Sequence, residues 1–176
     1  MRYQPRRRIL LMRHGQTSWN EAGLVMGQTD LPMSESGFQQ AEAMITELDS
    51  LEVRTLFSSA LFRCQQTAEF VSRALDLPIT FVPGLEERCW GIYEGRHHTE
   101  RDTTVDPPEG ETLSQFQDRI AVALDLISAS DRPLVVTHSG VIRYALEKAE
   151  SDKSRRRIPH AKPILVPWEL RTVTAS

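Results

Sequence analysis

Ile9-Leu10-Leu11-Met12-Arg13-His14-Gly15-Gln16-Thr17 is an apolar run that breaks off into Arg-His-Gly. Leu134-Val135-Val136 breaks off in the same way, into Thr137-His138-Ser139-Gly140. Short apolar runs bounded by turn residues read as strands buried on both faces. Each histidine then stands just past the C-terminal end of a buried strand, the edge at which open α/β sheets bind ligands. A histidine beside an arginine at that edge points to phosphate chemistry, with one group to attack and one to hold charge.

The flanking segments extend this architecture. Residues 8–12 form the first strand, and 16–33, with Gly23, Gly27 and Pro32, reads as loop. Ser34 suits a helix N-cap, and Phe38, Ala41, Met44, Ile45 and Leu48 recur at helical spacing from Gly37 to Asp49. Thr55–Phe57 and Ile79–Val82 read as strands around a helix over Ala60–Leu75. Residues 95–110 are polar and contain Pro107-Pro108, the pattern of a loop or lid. Thr112–Ser128 carries Phe116, Ile120, Ala123, Leu124 and Ile127 on one face. Leu134–Val136 and a helix over Gly140–Ala149 follow. Ile164–Val166 and part of 169–174 supply one or two terminal strands. Strands alternating with helices predict one domain over 1–176, a three-layer α/β/α fold with a mainly parallel central sheet.

The chain has 176 residues, 40% of them hydrophobic, and a net charge of −3, so its total charge does not favour nucleic acid or a membrane surface. Arg6-Arg7-Arg8 and Arg155-Arg156-Arg157 read as solvated flanks. Two cysteines, Cys64 and Cys89, are too few for a disulfide framework and read as free thiols. With no membrane-length apolar run, and an N-terminal one too short for a signal peptide, the expected location is cytoplasmic.

Four blocks, in order, resemble the histidine phosphatase superfamily, the phosphoglycerate mutase-like group. They are Arg13-His14-Gly15 with Thr17 and Asn20, Ser58–Glu69 around Arg63, Leu85–Gly95 around Glu87, and Val136–Arg143 around His138. They span residues 9 to about 145. The resemblance implies a phosphoglycerate mutase-like fold, a phosphohistidine intermediate and no cofactor. On residue chemistry, a neutral His14 is the candidate nucleophile, kept neutral by neighbouring arginines and oriented by a backbone carbonyl. Arg13 and Arg63 are the candidate phosphate clamps. His138 acts as a cation or hydrogen-bond donor to the transferring group, and the Ser139 and Gly140 amides face the anion at a helix start.

Glu86 and Glu87 are equivalent by composition. The resemblance selects Glu87 as general acid, two positions after Leu85 and four before Gly91. Asn20, with Thr17 and Ser18 as weaker candidates, binds phosphate oxygen. Glu111 either orients the clamp or is an ordinary acidic residue in a first helical turn. His97 and His98 are better placed as substrate contacts than as metal ligands, and His160 has no evident partner.

Two departures from the family bear on activity. The stretch from the acid block to Glu111 is short, whereas cofactor-dependent phosphoglycerate mutases carry a long insertion that shields the phosphohistidine from water. Leu24-Val25-Met26 brings an apolar patch to the substrate side. The expected function is therefore metal-independent hydrolysis of a phosphomonoester, the substrate a small phosphorylated metabolite. The alternatives are a phosphoprotein phosphatase acting on phosphohistidine or phosphoserine, a mutase, and a binding module that keeps the fold.

Overall fold

The computed structural model describes residues 7–149 and 157–169. Five strands form one sheet: β1 (Arg7–Arg13), β2 (Thr55–Ser58), β3 (Ile79–Phe81), β4 (Pro133–Thr137) and β5 (Pro163–Trp168), in the order β3-β2-β4-β1-β5. The first four are parallel, and β5 runs antiparallel to β1 along its outer edge. The second terminal strand expected over part of 169–174 falls almost wholly outside the described residues.

Side chains on a strand alternate between faces, and β1 uses both. Ile9 and Leu11 join the core beneath helices α4 (Leu113–Ile127) and α5 (Ser139–Lys148). Leu10 and Met12 join the core beneath α2 (Glu35–Leu48) and α3 (Phe62–Leu75). This produces the three layers. Truncating a core side chain such as Leu11, which is fully buried, to alanine would cost about 2–5 kcal/mol.

The helices start where the sequence supplies caps. The Ser34 hydroxyl accepts the Gly37 N–H at 3.3 Å, and Thr112 and Gln115 exchange bonds in a capping box at 3.2 and 3.0 Å. Residues 16–33 are not loop throughout: Thr17 and Asn20 cap a single helical turn, α1 (Ser18–Glu21).

The 95–110 stretch, expected as a loop or lid, is a loop with one 3-10 turn (His98–Glu100) that forms a wall of the pocket. Its first half is stitched to the 23–26 loop by Val25 N–H to Arg96 O at 2.8 Å, Gly95 N–H to Val25 O at 2.8 Å and His98 N–H to Gly23 O at 3.0 Å. Its second half is held by Asp106, which accepts from Arg88 Nη2 at 2.6 Å and from Leu113 N–H at 2.8 Å. Among the described residues, no helix is long and apolar enough to cross a membrane.

The chain leaves β1 toward the α2 layer and leaves β4 toward the α5 layer. These neighbouring strands therefore open a crevice at their C-terminal edge.

Candidate active site

Strand register builds the centre of the site. Arg13 pairs with Thr137, so the next residue on each strand is a histidine, and His14 N–H donates to Thr137 O at 3.0 Å. The two rings lie 5.3 Å apart, centroid to centroid. On the other side of β4, Ser58 pairs with Val136. Ser59 then follows β2, and Arg63 falls in the first turn of α3, aimed back over the same edge. The resulting pocket encloses about 140 Å³ and is lined by Arg13, His14, Asn20, Arg63, Glu87 and His138, among others. A larger hollow lined by Arg7, Arg8 and Arg132 lies at the opposite end of the strands, and no histidine lines it.

His14 is buried, and its Nδ1 lies 2.7 Å from the Gly15 carbonyl. A carbonyl only accepts, so Nδ1 carries the proton and the Nε2 lone pair is free. Burial, then the Arg63 and Arg13 charges, push its pKa well below the usual histidine value, so the ring is neutral at pH 7.

Arg63 is almost completely buried. Its Nη1 donates to Thr29 O at 2.9 Å, and Nη2 donates to Gly27 O at 2.7 Å and to His138 Nδ1 at 3.3 Å. Arg13 Nη1 donates to Ile158 O at 3.1 Å. The Nε atoms of Arg13 and Arg63 are buried with no hydrogen-bond partner. Burial lowers both pKa values, that of Arg13 to about 10, and Arg13 keeps its charge at neutral pH. Desolvated cationic donors without acceptors are costly, and an anion relieves that cost.

His138 corrects its cation expectation. Its Nδ1 accepts from Arg63, so Nε2 carries the proton and donates to Ser59 Oγ at 3.0 Å. Burial first, then Arg63, push its pKa well below the usual value. The ring is neutral, and the positive charge of the pocket rests on the arginines.

Glu87 lines the pocket, whereas Glu86 turns away to accept Gly84 N–H at 2.8 Å. Glu87 Oε2 accepts the Gly140 N–H at 3.0 Å and the Ser139 hydroxyl at 3.4 Å, and Oε1 accepts Arg88 N–H at 3.0 Å. This corrects the expectation for Gly140: its N–H and the Ser139 hydroxyl bond the Glu87 carboxylate, while Ser139 itself lines the pocket. A Cβ at Gly140 would overlap Glu87 Oε1, which explains the glycine.

Thr17 is also corrected as a phosphate ligand. Its hydroxyl is buried against Asn20 N–H and Met26 Sδ, and it is absent from the pocket lining. It acts on Asn20 instead. Thr17 N–H holds Asn20 Oδ1 at 3.2 Å, which leaves the Asn20 amide NH₂ as the donor at the pocket.

Glu111 does not touch Arg13 or Arg63 in any bond among the described residues. It forms a two-pronged pair with Arg119 at 2.6 and 2.8 Å. Arg119 in turn donates to the carbonyls of Gly84, Glu86 and Glu87, bracing the acid loop.

Other residues of the site were not legible beforehand. Glu94 accepts from Gln28 N–H, Trp90 N–H, Thr29 N–H and the Thr29 hydroxyl at 2.6–3.1 Å. It thereby shapes the loop whose carbonyls hold Arg63. Gly27 in that loop has φ +55°, and a Cβ there would overlap the Glu94 carboxylate. His160 donates from Nδ1 to His14 O at 2.9 Å, with its ring 5.6 Å from that of His14. Its partner lies 146 residues away, beyond any local pattern. Arg101 and Trp90 join the wall with Leu24, Val25, Met26 and His98. His97 is corrected as a substrate contact: it caps the 3-10 turn His98–Glu100.

A neutral, oriented imidazole thus lies among buried guanidinium groups at a sheet edge, in a pocket that a carboxylate also lines. The sequence profile of the histidine phosphatase superfamily (branch 1) matches residues 9–163, and the chain belongs to that family. "Probable phosphoglycerate mutase GpmB" of Escherichia coli (strain K12 / DH10B) is 35% identical over 147 residues, covering 74% of this chain and 68% of the relative. Among solved structures, TTHB049 from Thermus thermophilus superposes with a TM-score of 0.75 at 31% identity, over 92% of this chain and 94% of that one. An Escherichia coli K-12 protein described as a candidate alpha-ribazole-5'-P phosphatase has a TM-score of 0.72 at 28% identity, over 82% and 80%.

Proposed function

We propose that this protein is a metal-independent phosphomonoesterase acting on a small phosphorylated metabolite. The observation that carries this reading is the meeting of a neutral His14, its Nε2 free, with two buried guanidinium Nε donors that have no partner, Arg13 and Arg63. The phosphoryl oxygens sit between Arg13, Arg63 and the Asn20 amide. The Nε2 lone pair attacks phosphorus, the ester P–O bond breaks, and Glu87 gives its proton to the leaving oxygen. Water then attacks the phosphohistidine, Glu87 takes the water proton, and the N–P bond breaks to release phosphate and neutral His14. The arginines supply the positive charge that a metal supplies in other phosphatases.

A mutase is the second reading, favoured by the names of the relatives. The short, pinned 95–110 wall speaks for water reaching the phosphohistidine.

Phosphate release from a panel of phosphomonoesters in excess chelator tests the proposal. Release by the wild type and none by His14→Ala is the expected result. Release that needs a metal or survives the substitution contradicts it, and bisphosphate-dependent isomerisation of a phosphoglycerate selects the mutase.

A further inference from the structure

The peptide units on either side of His14 are each held at both ends. In the Arg13–His14 unit, the Arg13 carbonyl accepts the Ala161 N–H at 2.8 Å, and the His14 N–H donates to Thr137 O at 3.0 Å. Both bonds join main chain to main chain, so the fold supplies them whatever the side chains. In the His14–Gly15 unit the partners are side chains. The His14 carbonyl accepts from His160 Nδ1 at 2.9 Å, and the Gly15 N–H donates to Thr67 Oγ1 at 2.9 Å. Thr67 is fully buried on α3, and its hydroxyl donates to the Arg63 carbonyl at 2.7 Å.

The second unit bears directly on the nucleophile. The bond that orients the His14 ring runs from Nδ1 to the Gly15 carbonyl at 2.7 Å. That carbonyl belongs to the residue whose N–H Thr67 holds. A rotation of the His14–Gly15 peptide therefore carries the ring and its acceptor with it.

His160 reaches the His14 carbonyl because its segment runs past the end of β1. It bridges with Arg13, and Ile158 O accepts Arg13 Nη1 at 3.1 Å. A carbonyl only accepts, so Nδ1 carries the His160 proton. Burial, then the Arg13 charge, lowers the His160 pKa to about 4, so at pH 7 the ring is a neutral donor that adds no charge beside Arg13.

We infer that His160 is a positioning residue for phosphoryl transfer: with Thr67 at the other end, it fixes the His14–Gly15 peptide and so keeps the His14 Nε2 lone pair in line with the bound phosphorus. His160 does not line the pocket and acts only through His14. The inference rests on His14 as the nucleophile. A reacting atom misplaced by about 1 Å can lose about 10²-fold in rate, so the effect falls on kcat.

His160→Asn and His160→Leu have nearly the same shape, and the Asn amide nitrogen stands where Nδ1 stood. With nitrophenyl phosphate, His160→Leu should lower kcat about tenfold or more, and His160→Asn should stay within about threefold of the wild type. The Ki of inorganic phosphate should move by less than about threefold in both, because the Arg13 and Arg63 donors remain. Wild-type kcat in His160→Leu overturns the inference. Equal losses in the two variants, or a loss confined to KM and Ki, also overturn it. If His160→Leu does not fold, Thr67→Val against Thr67→Ser reads the same peptide from its other end, and equal kcat in that pair overturns the inference.

Labelling of His14 by phosphoramidate, a donor that needs no general acid, separates this inference from the phosphatase reading. The Nε2–P bond forms, the P–N bond of the donor breaks and ammonia leaves. Labelling slowed by His160→Leu and restored by His160→Asn, in a protein that hydrolyses no ester, keeps the positioning role and removes the phosphatase. Ester hydrolysis at equal rates in both variants removes the positioning role and leaves the phosphatase. A wild type that shows neither labelling nor hydrolysis removes both.

Discussion

Arg13 and Thr137 are register partners on adjacent parallel strands, and this places His14 and His138 side by side with ring centroids 5.3 Å apart. The two histidines are far apart in sequence and need no motif of their own to meet. Two strands that stop at the same level of the sheet bring them together. Their tautomers follow from their partners. His14 gives its Nδ1 proton to a carbonyl and keeps Nε2 free, whereas His138 accepts from Arg63 and donates to Ser59.

Glu87 is held by Gly140, Ser139 and Arg88, and among the described residues no other carboxylate lines the pocket. Glu87→Gln should slow alkyl phosphates, whose leaving oxygens need a proton, by about 10²–10⁴-fold in kcat. Nitrophenyl phosphate should lose much less. Steady-state kinetics on both esters check this, and equal losses contradict the general-acid role.

Gly140 offers a second route to the same carboxylate. Its added Cβ in Gly140→Ala overlaps Glu87 Oε1 and displaces the acid while leaving His14 and both clamp arginines chemically intact. The substitution should reproduce the leaving-group selectivity of Glu87→Gln, with inorganic phosphate still bound. A variant with wild-type rates on alkyl phosphates would show that the Glu87 position is not critical.

Glu94 controls Arg63 from a distance. Its two oxygens accept four hydrogen bonds from the loops that present Gly27 O and Thr29 O to the guanidinium. Glu94→Gln turns an acceptor into a donor facing donors, a change costing about 1–3 kcal/mol. The expected signature is a lower Tm together with a KM raised about tenfold and a smaller change in kcat. A kcat loss at unchanged KM would contradict it.

Acid should destabilise the fold through its histidines. Burial, then Arg13, lowers His160 to about 4 from 6.5. Between those values the unfolded chain holds one more proton than the folded one, so stability falls as pH drops from about 6.5 to about 4. Each such histidine contributes about 1.4 kcal/mol per pH unit within its window, and above about 6.5 the contribution is flat. His14 and His138, also lowered, act in the same direction. Urea unfolding from pH 6.5 to 4.5 should show this slope, and His160→Asn should remove about one proton from it. An unchanged slope contradicts the assignment.

The fold was legible because its signals are local. Apolar runs that end in turn residues located β1 and β4, and helical periodicity located α2, α3 and α4. The pocket-lining residues His14, Arg13, Arg63, Glu87, His138 and Asn20 were legible through their motif blocks. What escaped depends on contacts that no window of sequence contains. Thr17 stands in a motif but is turned inward by its cap on α1. Ser139 opens a helix whose Gly140 amide is already taken by Glu87. His160 reaches His14 only because β5 returns along β1. The 95–110 stretch has the composition of a loop or lid, and composition does not encode the backbone bonds that join its residues 95–98 to the 23–25 loop.

The central claim is a covalent phosphohistidine on His14. The direct measurement is rapid mixing with a hydrolysable phosphomonoester, denaturing quench at high pH, and peptide mass spectrometry. The account predicts a phosphoryl group on the Arg13–Gly15 peptide that is stable to base, labile to acid, and absent from His14→Ala. Turnover by the wild type with no such adduct at any mixing time, or with the phosphoryl group on another residue, would contradict it.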